Sequence, residues 1–421
     1  MDVAVTHAPI RYLAGMRNIR HLPVLFLMLL CGTLRSQNPI IQSIIDAVSV
    51  DSLMLDLEKL SGEIPIDIGN GPEVIFSRNE SQPGNALAAD WLQARCEQMG
   101  QTPTTDLFDD TNGENIIVEL IGAVHPERKV IICGHYDAMP GGPVAAPAAD
   151  DDGSGTVAVL EALRVLSEHA FENSIIFAMW DEEELGKLGS IHYANGIDTG
   201  EVQILGVVNM DAISYDGDGD GLMRIHTKNI ANSIALKDTA LAVNQTYAGL
   251  QLNVAVNLPG AVYSDHASFW NKGLSAILII EDFDDDGNPH YHTTTDLVEY
   301  IDQPYFQGLA RLSIGTAATL ARPIPDGTAV EPTMASEERD LFVYPNPTPG
   351  RTVVRMALHG MNASLALYDA FGRRVMDLAN VKGGGGERTQ ELDLSSLAPG
   401  SYVLRLTNGD RAASVPVVRL H

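Results

Sequence analysis

The sequence predicts an α/β chain with a small β-sandwich at its C-terminal end, and three observations carry that expectation. Between Asn38 and about Arg322, apolar runs of strand length alternate with amphipathic runs of helix length, as in a sheet covered by helices. The stretch that follows, from Arg322 to Thr333, is rich in proline and small polar residues and reads as a linker. From about Leu341, short alternating runs are separated by Pro/Gly turns, the pattern of a sandwich.

Taken in chain order, the expected segments are residues 1–36, a secretory signal; 37–82, a leading segment; 83–322, the main domain; 323–340, the linker; and 341–421, the sandwich. The signal rests on Arg17, Arg20 and His21 preceding the apolar run Leu22–Cys31, with cleavage expected near Ser36 and Met16 as an alternative start. A buried helix is the competing reading of that run. It is too short to cross a bilayer, which takes about 20 apolar residues, so no transmembrane anchor is expected.

Within the main domain, strands are expected at Asn115–Ile121, Lys129–Gly134, Ser174–Trp180, Ile204–Asp211 and Ser275–Ile280, each an apolar run rich in β-branched residues. Helices are expected at Ala86–Met99, Gly155–Ser167, Asn229–Asn244 and Gln303–Ala321, where apolar residues recur at helical spacing. In open α/β sheets, sites form beyond the carboxyl ends of the strands.

With 421 residues and 45% apolar content, the chain can bury one large core and a small second one. Its 27 basic against 55 acidic residues give a formal charge of −28, which repels nucleic acid and anionic membrane surfaces. Of three cysteines, Cys31 leaves with the signal. Cys96 and Cys133 are able to pair in an exported protein, but one falls in an expected helix and the other in an expected buried strand.

The chemistry-bearing residues gather at the ends of the runs. His135 and Asp137, two apart at a strand end, can point to one side, so that imidazole meets a metal while carboxylate braces its other nitrogen. Asp150, Asp151 and Asp152 precede Gly-Ser-Gly and an apolar helix; capping that helix accounts for one aspartate, not three. The run Ser174–Trp180 empties into Asp181, Glu182, Glu183 and Glu184, where one glutamate can bind metal while its neighbour serves as general base. Sequence alone leaves open which does which. Asp211 follows a further apolar run, and His292 precedes Thr-Thr-Thr-Asp296. Two imidazoles and several carboxylates suit a pair of zinc ions sharing one carboxylate.

These segments, in this order, resemble the co-catalytic dizinc exopeptidases of clan MH, the family of bacterial leucyl aminopeptidases that also contains glutamate carboxypeptidases. The resemblance spans roughly Pro83 to Ala321 and implies a three-layer zinc-exopeptidase fold with a mixed central sheet. It further implies that His135, Asp151 and Asp211 bind one zinc and that Asp151, Glu184 and His292 bind the other. On the same grounds Glu183 is the general base and Asp137 the brace for His135, while Asp150, Asp152 and Glu182 stand outside the ligand set. Ser264-Asp265-His266 matches a family segment lining the site, where Asp265 or His266 orients substrate or a ligand. Some relatives carry a disulfide just before this segment, whereas Asn253–Tyr263 contains no cysteine, so a different substrate pocket is expected.

The loops Asp216–Gly221 and Asp282–Gly287 alternate oxygen ligands ahead of glycine, as calcium loops do, although neither carries glutamate at its twelfth position. A plain acidic loop is the simpler reading of both. The tail, with Tyr344-Pro-Asn-Pro, Phe371-Gly372 and Pro399-Gly-Ser-Tyr402, resembles the C-terminal sorting domain of proteins exported by the type IX secretion system of the Bacteroidota. A generic immunoglobulin-like binding module is the alternative.

The expected activity is therefore that of a secreted or cell-surface aminopeptidase acting on peptide substrates, its tail engaging the type IX machinery. A metallocarboxypeptidase, a single-zinc glutaminyl cyclase and an inactive surface-binding module are the competing readings.

Overall fold

The computed structural model describes residues 37–108, 113–325, 341–344, 346, 348, 350–358, 362–369, 372–382, 386–408 and 411–419. The expected signal, with Met16 and Cys31, and most of the expected linker lie outside the described residues.

The main domain runs α1 (Pro39–Asp46), α2 (Val50–Leu60), the short strands β1 (Ile66–Asp67) and β2 (Pro72–Glu73), α3 (Pro83–Gln98), β3 (Thr104–Leu107), β4 (Glu114–Leu120) and β5 (His125–His135). It continues with α4 (Gly155–Leu166), β6 (Asn173–Trp180), α5 (Leu188–Gly196), β7 (Gln203–Met210), β8 (Leu222–His226), α6 (Ser233–Thr246), β9 (Asn253–Asn257), α7 (His266–Asn271), β10 (Ala276–Glu281) and α8 (Gln303–Ala321). Eight strands form one mixed sheet in the order β3-β4-β6-β5-β7-β10-β8-β9. Its centre, β6-β5-β7-β10, is parallel throughout.

Those central strands are nearly continuous apolar runs because both of their faces are covered. Val130, Ile132, Phe177, Met179 and Val208 point into a large core with α1, α2, α3, α4, α6 and α8. The alternate residues Ile131, Cys133, Ala178, Trp180 and Val207 enter a second core with Tyr193 of α5 and Phe269 and Trp270 of α7. Cys96 lies in the first core and Cys133 in the second, on opposite faces of the sheet, and both are free.

The leading segment is not peripheral. Asn38 caps α1 through Ile40 N and Ser49 caps α2 through Ser52 N. Ile41, Ile44, Ile45, Leu53 and Leu57 then fill the same core as α8.

The tail comprises β11 (Leu341–Tyr344), β12 (Arg351–Leu358), β13 (Asn362–Tyr368), β14 (Arg374–Lys382), β15 (Gly386–Asp393), β16 (Gly400–Asn408) and β17 (Arg411–Arg419). They form two antiparallel sheets, β11-β12-β15 and β14-β13-β16-β17. Val354, Met356 and Leu392 from one and Leu365, Leu367, Leu404 and Leu406 from the other share a core, as in a sandwich. Among the described residues no helix is long and apolar enough to cross a membrane.

Candidate metal centre

Three neighbouring parallel strands deliver the site. His135 is the last residue of β5, Asp211 follows β7, and Glu183 and Glu184 follow β6. Strands about 4.8 Å apart end together, so these side chains converge without any long-range loop. A tight turn, Ala149–Ser154, carries the three aspartates ahead of α4, and the Asp151–Asp152 peptide bond is cis.

The three aspartates divide as follows. Asp152 Oδ1 accepts the backbone N–H groups of Gly155 (2.8 Å) and Ala212 (3.2 Å), and Oδ2 accepts that of His135 (3.0 Å). It caps α4 and ties β5 to the β7 exit; although it lies within reach of His135 and Asp211, its oxygens are already engaged. Asp150 accepts from Ser214 N and Oγ and from Asn288 Nδ2 (2.9 Å). Asp296, from the segment after His292, accepts the backbone N–H groups of Asp150 and Asp151 (both 3.1 Å).

Asp151 is left facing both imidazoles. His135 Nε2 lies 3.3 Å from Oδ1, and His292 Nε2 lies 3.0 Å from Oδ2. Glu184 Oε1 is 3.1 Å from His292 Nε2, and Asp211 Oδ1 is 3.8 Å from His135 Nε2. Asp137, fully buried, reaches His135 Nδ1 at 3.2 Å. Its two oxygens also accept the N–H groups of Glu183 and Glu184, each at 3.0 Å. The structure thus brings together all seven residues singled out in the sequence for ligand, brace and base.

Electrostatics follow from packing so many acids into one place. Burial pushes the Glu183 carboxyl up to about 10 against the opposing pull of His135, and pushes Glu184 up to about 7. Burial alone would raise Asp151 too, but the facing imidazoles of His135 and His292 hold it well below the usual carboxylate range. Burial works to lower His292, yet Asp151 and Glu184 hold it up at about 10.

Asp151 Oδ2, Glu184 Oε1 and His292 Nε2 are buried and make no well-formed hydrogen bond, although they crowd within ion-pair distance. Imidazole nitrogens and carboxylate oxygens converging in this way are the donor set of a cation of zinc's preferences. The residues therefore fit such an ion.

A cavity of about 400 Å³ opens over the cluster. Besides His135, Asp151, Glu183, Glu184 and Asp211, it is lined by Tyr263, Ile280, Phe283, Asp284 and Tyr291. Tyr291 stacks on His292 with ring centroids 3.8 Å apart and meets Phe283 edge-on at 5.1 Å. Sequence reading missed these aromatic walls; the position of Tyr291 directly before His292 was the one available signal. Asp265 and His266 are fully buried and are not among the lining residues. Burial raises Asp265 to about 7 and lowers His266 to about 3. The His266 Nε2–H donates to Ala261 O at 2.9 Å.

The two acidic loops behave differently. Asp282 and Asp284 pair with Arg224 at 2.5 and 2.8 Å, so a cation from the chain itself organises that loop. Asp216, Asp218 and Asp286 lie close enough to share one ion, and each already accepts backbone N–H groups.

Comparison with known proteins adds five findings. The pattern of peptidase family M28 matches residues 115–317, and that of a secretion-system C-terminal sorting domain matches residues 342–418. A probable leucine aminopeptidase of Trichophyton verrucosum is 30% identical over 297 residues, covering 66% of this chain and 75% of that protein. The LapA aminopeptidase of Legionella pneumophila superposes with a TM-score of 0.59 at 20% identity, over 74% of this chain and 78% of its own. A Bacteroides thetaiotaomicron glutaminyl cyclase does so with a TM-score of 0.51 at 16% identity, over 64% and 97%. At such identities the structural likenesses establish a shared fold.

Proposed function

The chain belongs to peptidase family M28 and ends in a secretion-system sorting domain, and from that premise we propose that it is an exported dizinc aminopeptidase. The observation that carries this reading is that the two oxygens of Asp151 face different imidazoles, Oδ1 that of His135 and Oδ2 that of His292. His135, Asp151 and Asp211 would hold one zinc, and Asp151, Glu184 and His292 the other.

Bound zinc supplies Lewis acidity, bringing the pKa of water to about 7 and polarising a peptide carbonyl. Glu183, whose backbone N–H donates to Asp137, takes the proton from the attacking water. The Glu183 carboxyl then passes that proton to the leaving amine. Tyr291 and Tyr263 stay protonated, because burial pushes both phenols up, and they offer hydrogen-bond donors to the substrate.

Charge supports the amino end as the one bound. The described cavity lining includes several carboxylates and neither lysine nor arginine, so it attracts a peptide's ammonium group and offers no salt-bridge partner to its carboxylate. Type IX export to the surface or medium is the destination that the tail supports.

The test is product analysis by mass spectrometry of one peptide in free, N-acetylated and C-amidated forms, with and without chelator. Stepwise loss from the free N-terminus, stopped by acetylation and by chelator but not by amidation, is the expected result. The reverse blocking pattern means a carboxypeptidase; conversion of N-terminal glutamine, with about one zinc per chain, means a cyclase. No turnover with zinc in place means a binding module.

A further inference from the structure

We infer that Arg78 is a positioning residue of the metal centre, and that the segment around it is an obligate part of the catalytic unit. The inference rests on the dizinc reading above.

Arg78 is fully buried although it lies ahead of the expected domain start at Pro83. Its guanidinium donates four hydrogen bonds, all to backbone carbonyls. Nε reaches Tyr136 O at 2.7 Å, Nη1 reaches Leu60 O at 3.0 Å and Pro147 O at 2.6 Å, and Nη2 reaches Ala148 O at 2.9 Å. Tyr136 sits between His135 and Asp137; Pro147 and Ala148 lead into Asp150–Asp152. One side chain therefore fixes the exit of β5 and the approach to Asp151, and anchors both to the end of α2.

The surrounding segment repeats the pattern. Ala146 N donates to Phe76 O at 3.2 Å, and Asn79 Nδ2 donates to Ala138 O at 3.2 Å. Asn85 Nδ2 donates both to Arg78 O (3.1 Å) and to Asp181 Oδ1 (2.8 Å), just before the glutamates. Residues 76–85 thus hold three site-bearing stretches at once.

No described carboxylate pairs directly with Arg78. Asp296, Asp152, Asp137 and Asp151 act on it through space, and despite burial it keeps its charge at neutral pH. A fixed cation near these aspartates offsets part of the repulsion among ionised acids. Lysine cannot reproduce this geometry, because a single ammonium does not span carbonyls of three separate segments as a planar fork does.

The experiment compares wild type, Arg78→Lys and Asn79→Ala as full chains, at a temperature where circular dichroism shows all three folded. Zinc affinity is read by competition with a chromophoric chelator, and kcat and KM on an unblocked peptide. Arg78→Lys is expected to lose ~10–100-fold in zinc affinity, the range for supports of metal ligands, with kcat falling and KM nearly constant. Asn79→Ala should shift zinc affinity in the same direction by a smaller factor. A merely structural role would lower thermal stability but leave the folded variants with wild-type zinc affinity and kcat, and that result overturns the inference. If Arg78→Lys does not fold, wild-type zinc affinity in Asn79→Ala overturns it as well. A wild type that binds zinc and cleaves nothing retires the peptidase reading, while the zinc comparison still decides the role of Arg78.

Discussion

Asp137 Oδ1 lies 3.2 Å from His135 Nδ1 and 3.0 Å from the backbone nitrogen of Glu183. One carboxylate therefore sets both the imidazole expected to bind metal and the backbone that carries the expected base, while its other oxygen holds Glu184 N.

Replacing Asp137 by asparagine keeps the shape but turns one acceptor into a donor, so at least one of the three contacts is lost and those that remain go to a neutral acceptor. The expected result is a folded protein with ~10–100-fold lower kcat/KM and weaker zinc binding. Steady-state kinetics alongside zinc competition check it; unchanged values for both would show that Asp137 supports nothing.

Glu183→Gln separates base from ligand. The amide fits the same space but accepts no proton, so kcat should drop ~10²–10⁴-fold with zinc content unchanged and KM within a few-fold. Elemental analysis and kinetics on the same preparation decide it. Loss of zinc together with activity would instead make Glu183 a ligand.

Much of this site was legible in the sequence because the parallel centre of the sheet is written in uninterrupted apolar runs. Where such a run stops, at His135, Trp180 or Met210, the next polar residues lie at a strand's carboxyl end. The last helix, Gln303–Ala321, emerged with the expected bounds because Asp302 caps it and proline opens it. The sequence reading assigns no element to α1, α2, β1, β2 or β3 in and just after the leading segment, nor to α5, α7, β8 and β9, which are short and whose apolar residues are decided by tertiary neighbours rather than by period. Arg78 escaped for a different reason: a lone arginine in a leading segment carries no pattern, and only the folded chain shows three stretches of backbone meeting at its fork. Cys96 and Cys133 were placed on different elements by the sequence, but that they lie on opposite faces of the sheet required the packing.

Acid sensitivity should have an identifiable histidine component. His226 is buried, accepts the Ala261 N–H at Nδ1 (3.0 Å), and is held by burial at about 4, below its ordinary value. Between about pH 6.5 and 4 the unfolded chain binds a proton there that the folded chain does not, so this contribution to stability is complete above pH 6.5 and is lost as pH falls. His226→Gln retains an acceptor and removes the titration. Relative to wild type, the variant should therefore gain thermal stability on going from pH 7 to pH 5, as read by differential scanning fluorimetry; a constant offset between the two would exclude the assignment.

Zinc removal should be felt in the fold as much as in turnover. Asp151, Glu184 and Asp211 are buried with only His135 and His292 close enough to pair, so without metal the acids face one another in a poorly solvated site. An ion that binds only the folded state adds about 4 kcal/mol at a thousand times its dissociation constant. For a domain of this size, that corresponds to a rise of roughly 10 °C in melting temperature. Stripping the protein with chelator and restoring zinc stepwise, with melting followed by circular dichroism, should give a reversible rise that saturates near two equivalents. Saturation at one equivalent would leave half of the ligand set without a role, and would point to the single-zinc chemistry of the cyclases.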